Sequence, residues 1–339
     1  MFVSTQACAT KCDRSGLIGG VFGVTRAIQM SGSTPSKRRG PSTSPSIALE
    51  RVAKKLAVQC ESLRFGAPVA FTYNPLVYAW NAHRAFLARA QLRPRVLFVG
   101  MNPGPFGMAQ TGVPFGEVAA VQNFFGINAK TACICAPELM HPKRPIEGFA
   151  CTRSEVSGAR VWSWAKGQFG TADEFFHEAF IWNWCPLAFM SAAGTNITPD
   201  KLPRSGRGST ATRALEVACD EALAAAIRAL QPANIVGFGA FAATRARDAL
   251  ARYPSVGSPI PPIHQVLHPS PASPAANRGW AAQVDRQLAA AGIHFGARPI
   301  LPACVSPSSI SSGSLQRSSR GASARTSKHS RSARAESEH

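Results

Sequence analysis

Two spacings of apolar residues alternate along the chain. Short, nearly continuous apolar runs at 96–99, 179–183, 234–238 and 263–267 have the length and β-branched or aromatic content of strands buried on both faces. Between them the apolar positions recur every three to four residues, the period of a helix with one buried stripe. Ser46 is placed to cap the first helix, whose stripe is Leu49, Val52, Leu56, Cys60 and Leu63, and Asn74-Pro75 opens a second with Leu76, Trp80, His83 and Leu87. Further helices are predicted from Glu117 (Val118, Val121, Phe125), from Ser154 through Trp162 and Trp164, and over 215–230, 241–253 and 276–291, the last closed by Gly292. Strands separated by helices predict an α/β fold: a single three-layer αβα domain around a central, mainly parallel four-stranded sheet. In such a sheet Asn102, Asn183, Gly239 and His268 follow or end the four strands and share one edge.

The loop after the first strand reads Gly100-Met-Asn-Pro-Gly-Pro-Phe-Gly-Met-Ala-Gln-Thr-Gly-Val-Pro-Phe-Gly116. Its glycines and prolines predict no helix and a rigid turn where open α/β sheets place ligands. Asn102 is the one polar side chain between Gly100 and Met108, and no acid occurs before Glu117. Chemistry built here has no charged general base in the loop. It positions a water with a neutral amide and steadies a departing anion with a histidine. His268-Pro-Ser-Pro271 supplies that histidine; a lone histidine is ordinarily structural, and only its convergence with Asn102 sets this one apart. Asn183 presents a donor beside an acceptor, which matches the O4 acceptor and N3 donor of uracil and mismatches cytosine. Phe115, between Pro114 and Gly116, is either a flat face for a base or a core residue.

Charge adds a partner class. The chain has 339 residues with a formal net charge of +19, and residues 47–297 alone carry 24 Lys+Arg against 15 Asp+Glu. A basic globular part suits a polyanion. Nine cysteines, at 8, 12, 60, 133, 135, 151, 185, 219 and 304, form no C-x-x-C pair, which speaks for thiols in a reducing compartment and against a zinc ribbon or an iron-sulfur cluster. No apolar run reaches the 18 residues of a membrane span. Residues 1–46, rich in Ser, Thr and Gly, fit a disordered tail, a targeting peptide, or a leader ahead of a start at Met30. Residues 298–339 fit a disordered Ser/Arg-rich tail.

One motif competes. Ile235-Val-Gly-Phe-Gly-Ala-Phe-Ala242 has the glycine spacing of a dinucleotide fingerprint. It lies on the third strand, and no acid follows about 20 residues on, where a ribose ligand belongs. A tight strand-to-helix turn, or a helix start at Gly239 that meets a DNA phosphate, reads better.

The glycine loop, with His268-Pro-Ser-Pro, Asn277-Arg-Gly-Trp280, His141-Pro-Lys-Arg-Pro145, Ser154-Glu-Val-Ser-Gly-Ala-Arg160 and Asn196-Ile-Thr-Pro-Asp-Lys-Leu-Pro203, closely resembles the single-strand-selective monofunctional uracil-DNA glycosylases, within the uracil-DNA glycosylase superfamily. The resemblance spans roughly residues 47–297. It implies excision of uracil and of 5-substituted uracils such as 5-hydroxymethyluracil from single- and double-stranded DNA, leaving an abasic site, with no metal or organic cofactor. It assigns Asn102 to the hydrolytic water, His268 to the departing uracil, Asn183 to its pyrimidine edge and Phe115 to the stack beneath it. Met101 gives backbone contact to the base and Gly104 leaves space beside its 5-position. It further implies a DNA-contacting helix around 194–207, with Asn196, Lys201, Arg204 and Arg207. A loop over 269–276 with Ser270, Pro271, Ala272 and Ser273 enters the duplex, near Arg278. The implied protein is a DNA-bound monomer without a membrane, in the nucleus or cytoplasm according to the source.

Ala272 departs from the family pattern, which has an arginine there to fill the gap of an expelled nucleotide. An alanine cannot fill it, so a stronger preference for unpaired uracil is expected. Two alternatives stay open: a DNA-binding relative without catalysis, and a nucleotide-dependent α/β enzyme using the Gly237 turn.

Overall fold

The computed structural model describes residues 44–255 and 259–296. Both predicted tails therefore lie almost wholly outside the described residues. The first helix, α1 (Pro45–Glu61), begins with Pro45 at its first position, whose fixed φ suits a helix start. This corrects the expected boundary: Ser44 takes the capping position without a side-chain bond, and Ser46 lies inside the first turn.

The strands β2 (Val96–Gly100), β3 (Ala179–Asn183), β6 (Asn234–Phe238) and β7 (Ile263–Val266) form one sheet in the order β3-β2-β6-β7, every pair parallel. All five residues of β2 and of β3 are buried, so helices cover both faces, as the three-layer α/β reading requires. One layer contains α1, α8 (Ser209–Leu230) and α9 (Gly239–Arg252). The other contains α5 (Val118–Asn123), α6 (Val156–Phe169), α7 (Ala172–Glu178) and α10 (Trp280–Ala290). Phe98 of β2 ties strand to strand and strand to helix, stacking on Phe238 at 5.2 Å and meeting Trp164 of α6 edge-on at 5.7 Å.

The sequence pattern missed a second, antiparallel sheet of β1 (Phe71–Tyr73), β4 (Ala188–Met190) and β5 (Asn196–Ile197), in the order β1-β4-β5. Strands of two or three residues are too short to show an alternation. The helix expected from Asn74 is broken at Ala79 into α2 (Pro75–Tyr78) and α3 (Trp80–Leu87). α8 starts at Ser209, six residues ahead of the predicted start, and the closing helix starts at Trp280 after a 3-10 turn at Ala276–Arg278. The glycine loop, expected to be free of helix, contains the single turn α4 (Met108–Thr111).

Candidate active site

Strand register brings the expected residues to one edge. Gly100 pairs with Asn183, Val99 with Gly237 and Phe238 with Val266, so the four carboxyl ends are level. Asn102 follows the end of β2 by two residues, and His268 follows β7 by two. One strand, β6, separates them, which at about 4.8 Å per strand sets their origins about 10 Å apart. The residue that follows β6 is Gly239, with φ +83; a Cβ there would stand 3.2 Å from the Cβ of His268. The side of His268 that faces the end of β6 is thus kept clear by a residue without a side chain.

Asn102 is half-buried, and its Nδ2 donates to the carbonyls of Leu187 (3.2 Å) and Pro103 (3.3 Å). Both amide hydrogens are thereby directed at carbonyls, which fixes the amide's orientation and leaves Oδ1 as an acceptor. The Nδ1 atom of His268 accepts from the backbone N–H of Ser270 at 3.1 Å, so the neutral ring carries its proton on Nε2. Burial lowers the His268 pKa below the ordinary histidine value. The ring is therefore a neutral donor around pH 7.

Asn183 is buried; its Nδ2 meets only the sulfur of Met108, at 3.3 Å, and its Oδ1 is sealed from solvent with no hydrogen-bond partner. An unsatisfied buried amide oxygen costs about 1–3 kcal/mol and marks a place where a ligand donor belongs. A Cβ on Gly100 would lie 2.1 Å from that oxygen and 2.7 Å from Cε2 of Phe115, so Asn183, Phe115 and Gly100 converge. Phe115 packs edge-on against Phe238 at 5.1 Å and belongs to the core. Its φ is +53, unusual for an aromatic residue, and its carbonyl is held by the indole N–H of Trp162 at 2.9 Å. The Met101 carbonyl accepts from Cys185 N–H at 2.9 Å, which couples the glycine loop to the segment after β3.

The loop's own sequence has no acid before Glu117, but an acid from outside it packs against it. Glu155, at the start of α6, lies against Gly104 and Gly107: a Cβ on either would approach its carboxyl oxygens to 2.4 and 1.9 Å. Burial raises its pKa to about 7, and the charge of Glu117 pushes the same way. The signal was present in Ser154-Glu-Val-Ser-Gly-Ala-Arg160, but no periodicity tells a sequence reader that this side chain turns inward.

The remaining expected residues divide into two groups. In the loop after β7, Pro271 and Ala272 are exposed, Ser270 Oγ accepts from Ala272 N–H at 3.2 Å, and Ser273 Oγ accepts from Ala276 N–H at 3.4 Å. Arg160 fixes this loop, donating to the carbonyls of Pro269 (2.9 Å) and Ser270 (3.3 Å) and to Asn277 Oδ1 (2.8 Å). Arg278 lies exposed at the end of this stretch. The second group, Asn196, Lys201, Arg204 and Arg207, is exposed but not on the expected helix. The segment is β5, a 3-10 turn at Pro199–Lys201 and further turns, because Pro199, Pro203, Gly206 and Gly208 prevent a continuous helix. Arg204 pairs with Glu216 at 3.0 Å and Lys201 with Asp200 at 3.8 Å. Among the described residues no hydrogen bond or ion pair joins this group to the 268–278 stretch.

Next to the glycine loop stand two further arginines. The guanidinium carbons of Arg144 and Arg153 lie 5.3 and 4.0 Å from the ring centre of Phe106. The Arg144 loop is fastened by His141, whose Nε2–H donates to Ala192 O at 2.9 Å while Nδ1 accepts from Lys143 N–H at 3.0 Å. Among the described residues neither arginine pairs with a carboxylate.

The Uracil DNA glycosylase superfamily model matches residues 88–288. The single-strand selective monofunctional uracil-DNA glycosylase of Rattus norvegicus is 41% identical over 267 residues, covering 75% of this chain and 92% of the rat protein. The Bos taurus protein of the same name is 42% identical over 240 residues, covering 70% of this chain and 84% of its own length. The crystal structure of wild-type SMUG2 from Pedobacter heparinus overlays with a TM-score of 0.49 at 18% identity, covering 71% of this chain and 97% of that one.

Proposed function

The chain belongs to the uracil-DNA glycosylase superfamily, among the single-strand selective monofunctional uracil-DNA glycosylases, and from that premise we propose that it hydrolyses the N-glycosidic bond of uracil in DNA. The observation that carries the reading is the set of groups on one sheet edge: an orphaned amide oxygen at Asn183, an oriented amide at Asn102 and a neutral Nε2–H donor at His268.

In this reading the nucleotide leaves the stack and its pyrimidine edge meets Asn183, whose Oδ1 accepts from N3–H and whose Nδ2 turns from Met108 to donate to O4. Cytosine would set donor against donor and leave the buried oxygen unpaired. The bond from C1′ to N1 breaks, its electron pair leaves with uracil, and the sugar becomes oxocarbenium-like. The His268 Nε2–H stabilises the departing anion. A water whose hydrogen is accepted by Asn102 Oδ1 adds to C1′ and gives its other proton to solvent, leaving an abasic site. An amide suffices because a cationic sugar needs a placed water more than a strong base. The loop 100–116 contains no lysine, so no Schiff base forms and the strand stays intact.

The same site takes uracils bearing a small 5-substituent such as 5-hydroxymethyl; the resemblance to the family carries that extension, since Glu155 occupies the room of a side chain at Gly104. Single-stranded DNA is the preferred substrate and duplex DNA a weaker one, because Ala272 offers nothing to fill a vacated stack. Arg144, Arg153 and the 269–273 loop, exposed at Pro271 and Ala272, are where the flanking phosphates bind. The test is incubation with a uracil-containing oligonucleotide followed by alkali. Alkali-dependent breakage at uracil, absent without alkali and absent in Asn102→Ala and His268→Ala, is expected. Protein that binds the oligonucleotide without releasing uracil would leave only a DNA-binding relative.

A further inference from the structure

Glu155 starts α6 with its side chain folded under the glycine loop. Gly104 accepts the N–H groups of Gly107 (3.3 Å) and Ala109 (3.2 Å), so residues 104–109 form the turn that leads into α4. The carboxyl fills the inside of that turn. An added Cβ would stand 2.4 Å from Oε1 at Gly104, 1.9 Å from Oε2 at Gly107 and 3.0 Å from Oε2 at Gly158. None of these three glycines has a left-handed φ. Volume, not backbone freedom, explains them: Glu155 takes it at Gly104 and Gly107, while at Gly158 the Phe115 carbonyl oxygen stands nearest, with Glu155 Oε2 behind it. The Oε2 atom is sealed from solvent and has no hydrogen-bond partner.

We propose that Glu155 is a positioning residue for the hydrolytic site: as a neutral acid it is the spacer beneath Gly104–Gly107 that fixes the loop carrying Asn102. The assignment deepens the glycosylase reading and rests on it. A spacer packed against the Gly104–Gly107 turn, with no cationic partner among the described residues, works only without charge, and its surroundings enforce that. Glu117, at the start of α5, adds negative charge and has its own Oε2 engaged by Ala120 N–H. The glycine turn offers no cation. Arg153, two residues before Glu155, and Arg144 lie on Phe106, and Arg160 of α6 is committed to the loop after β7. Burial then holds the carboxyl protonated up to about pH 7. Above that pH an uncompensated charge appears under the loop and the turn yields, carrying Asn102 with it. Excision therefore falls as pH rises through about 7. His268 cannot cause that fall, because its pKa lies below the ordinary value and its ring is already neutral there.

The test is single-turnover release of uracil from a single-stranded oligonucleotide between pH 5.5 and 9. Wild type should lose about tenfold in rate across the alkaline limb, whereas Glu155→Gln, neutral and nearly isosteric, should hold its pH 6 rate throughout. Glu155→Ala should run at about a tenth of the wild-type pH 6 rate throughout, in the single-turnover rate constant and not in binding. An alkaline limb that persists with the same midpoint in Glu155→Gln, or an Ala variant that matches wild type at pH 6, overturns the assignment. A wild type that releases no uracil at any pH sinks the glycosylase reading itself. Should either variant fail to fold, the wild-type ¹³C carboxyl resonance of Glu155 decides: a midpoint near 7 supports the proposal, and one in the ordinary carboxylate range refutes it.

Discussion

The side-chain amide of Asn102 donates to the backbone oxygen of Leu187 at 3.2 Å, across 85 positions of sequence. That bond and the one to Pro103 fix the amide's orientation, leaving Oδ1 as the acceptor that the proposed mechanism uses. Asn102→Ala should lower the excision rate roughly 10²-fold or more, the scale of a lost contact that places a reacting group, with binding of the oligonucleotide kept. Asn102→Asp brings a carboxylate oxygen against two carbonyls, so its pKa rises and its activity should improve as pH falls. A pH profile of that variant that rises toward alkali would show that the two carbonyls do not orient this position.

His268 acts as a neutral donor. Its folded pKa is depressed, so the ring stays uncharged above that pKa and its contribution to the rate should be flat from about pH 6.5 to 8. In Glu155→Gln, where the other titration is gone, the whole profile should be flat over that range. His268→Ala should cost roughly 10²- to 10³-fold. A rate that follows protonation of the ring, tracked by its NMR shifts, would contradict the tautomer fixed by Ser270 N–H.

Ala272 sits exposed on a loop that is already rigid, held by Arg160 and by Asn277 Nδ2 on Pro271 O at 3.0 Å. Ala272→Arg should therefore raise excision of uracil opposite adenine in duplex DNA and leave the single-stranded rate within about twofold. Equal change on both substrates would show that the loop does not enter the duplex.

Among the described residues the arginine pair on Phe106 has no carboxylate partner to compete with a phosphate. Arg144→Gln and Arg153→Gln should each reduce the salt dependence of binding to single-stranded DNA by about 0.7 in the slope of log K against log salt. A slope identical to wild type in both variants would remove these side chains from the DNA path.

Gly107→Ala adds a methyl where Glu155 Oε2 already stands, and should destabilise the fold by about 1–3 kcal/mol. In combination with Glu155→Ala most of that loss should vanish, a coupling of about 1 kcal/mol or more in a double-mutant cycle. Stability against pH gives a second check. The Glu155 pKa is raised on folding, so wild type loses stability from about pH 4.5 to 7. Glu155→Gln should lack that decline, which thermal melts would register.

The sheet was legible because its four strands are apolar runs with nothing else to become, and β2, β3, β6 and β7 lie within a residue of the predicted runs. Once they are parallel, the placement of Asn102, Asn183, Gly239 and His268 on one edge follows. What escaped the sequence depends on tertiary contact. Glu155 reads as an ordinary acid at a helix start, and nothing local shows that Gly104 and Gly107 make room for it. The carbonyl of Leu187 has no side-chain signature at all, and the strands of the second sheet are too short to show a period. The helix expected over 194–207 failed on its own prolines and glycines.

The segment that leaves β3 serves both asparagines. It begins at Asn183, sends Trp184 N–H to Gly100 O and Cys185 N–H to Met101 O, each at 2.9 Å, and ends with the Leu187 oxygen on Asn102. On the roles proposed for the two asparagines, base choice and rate thus share one segment. A change that loosens it will admit wrong bases and slow the right one together, so selection for either property alone has little to work on there.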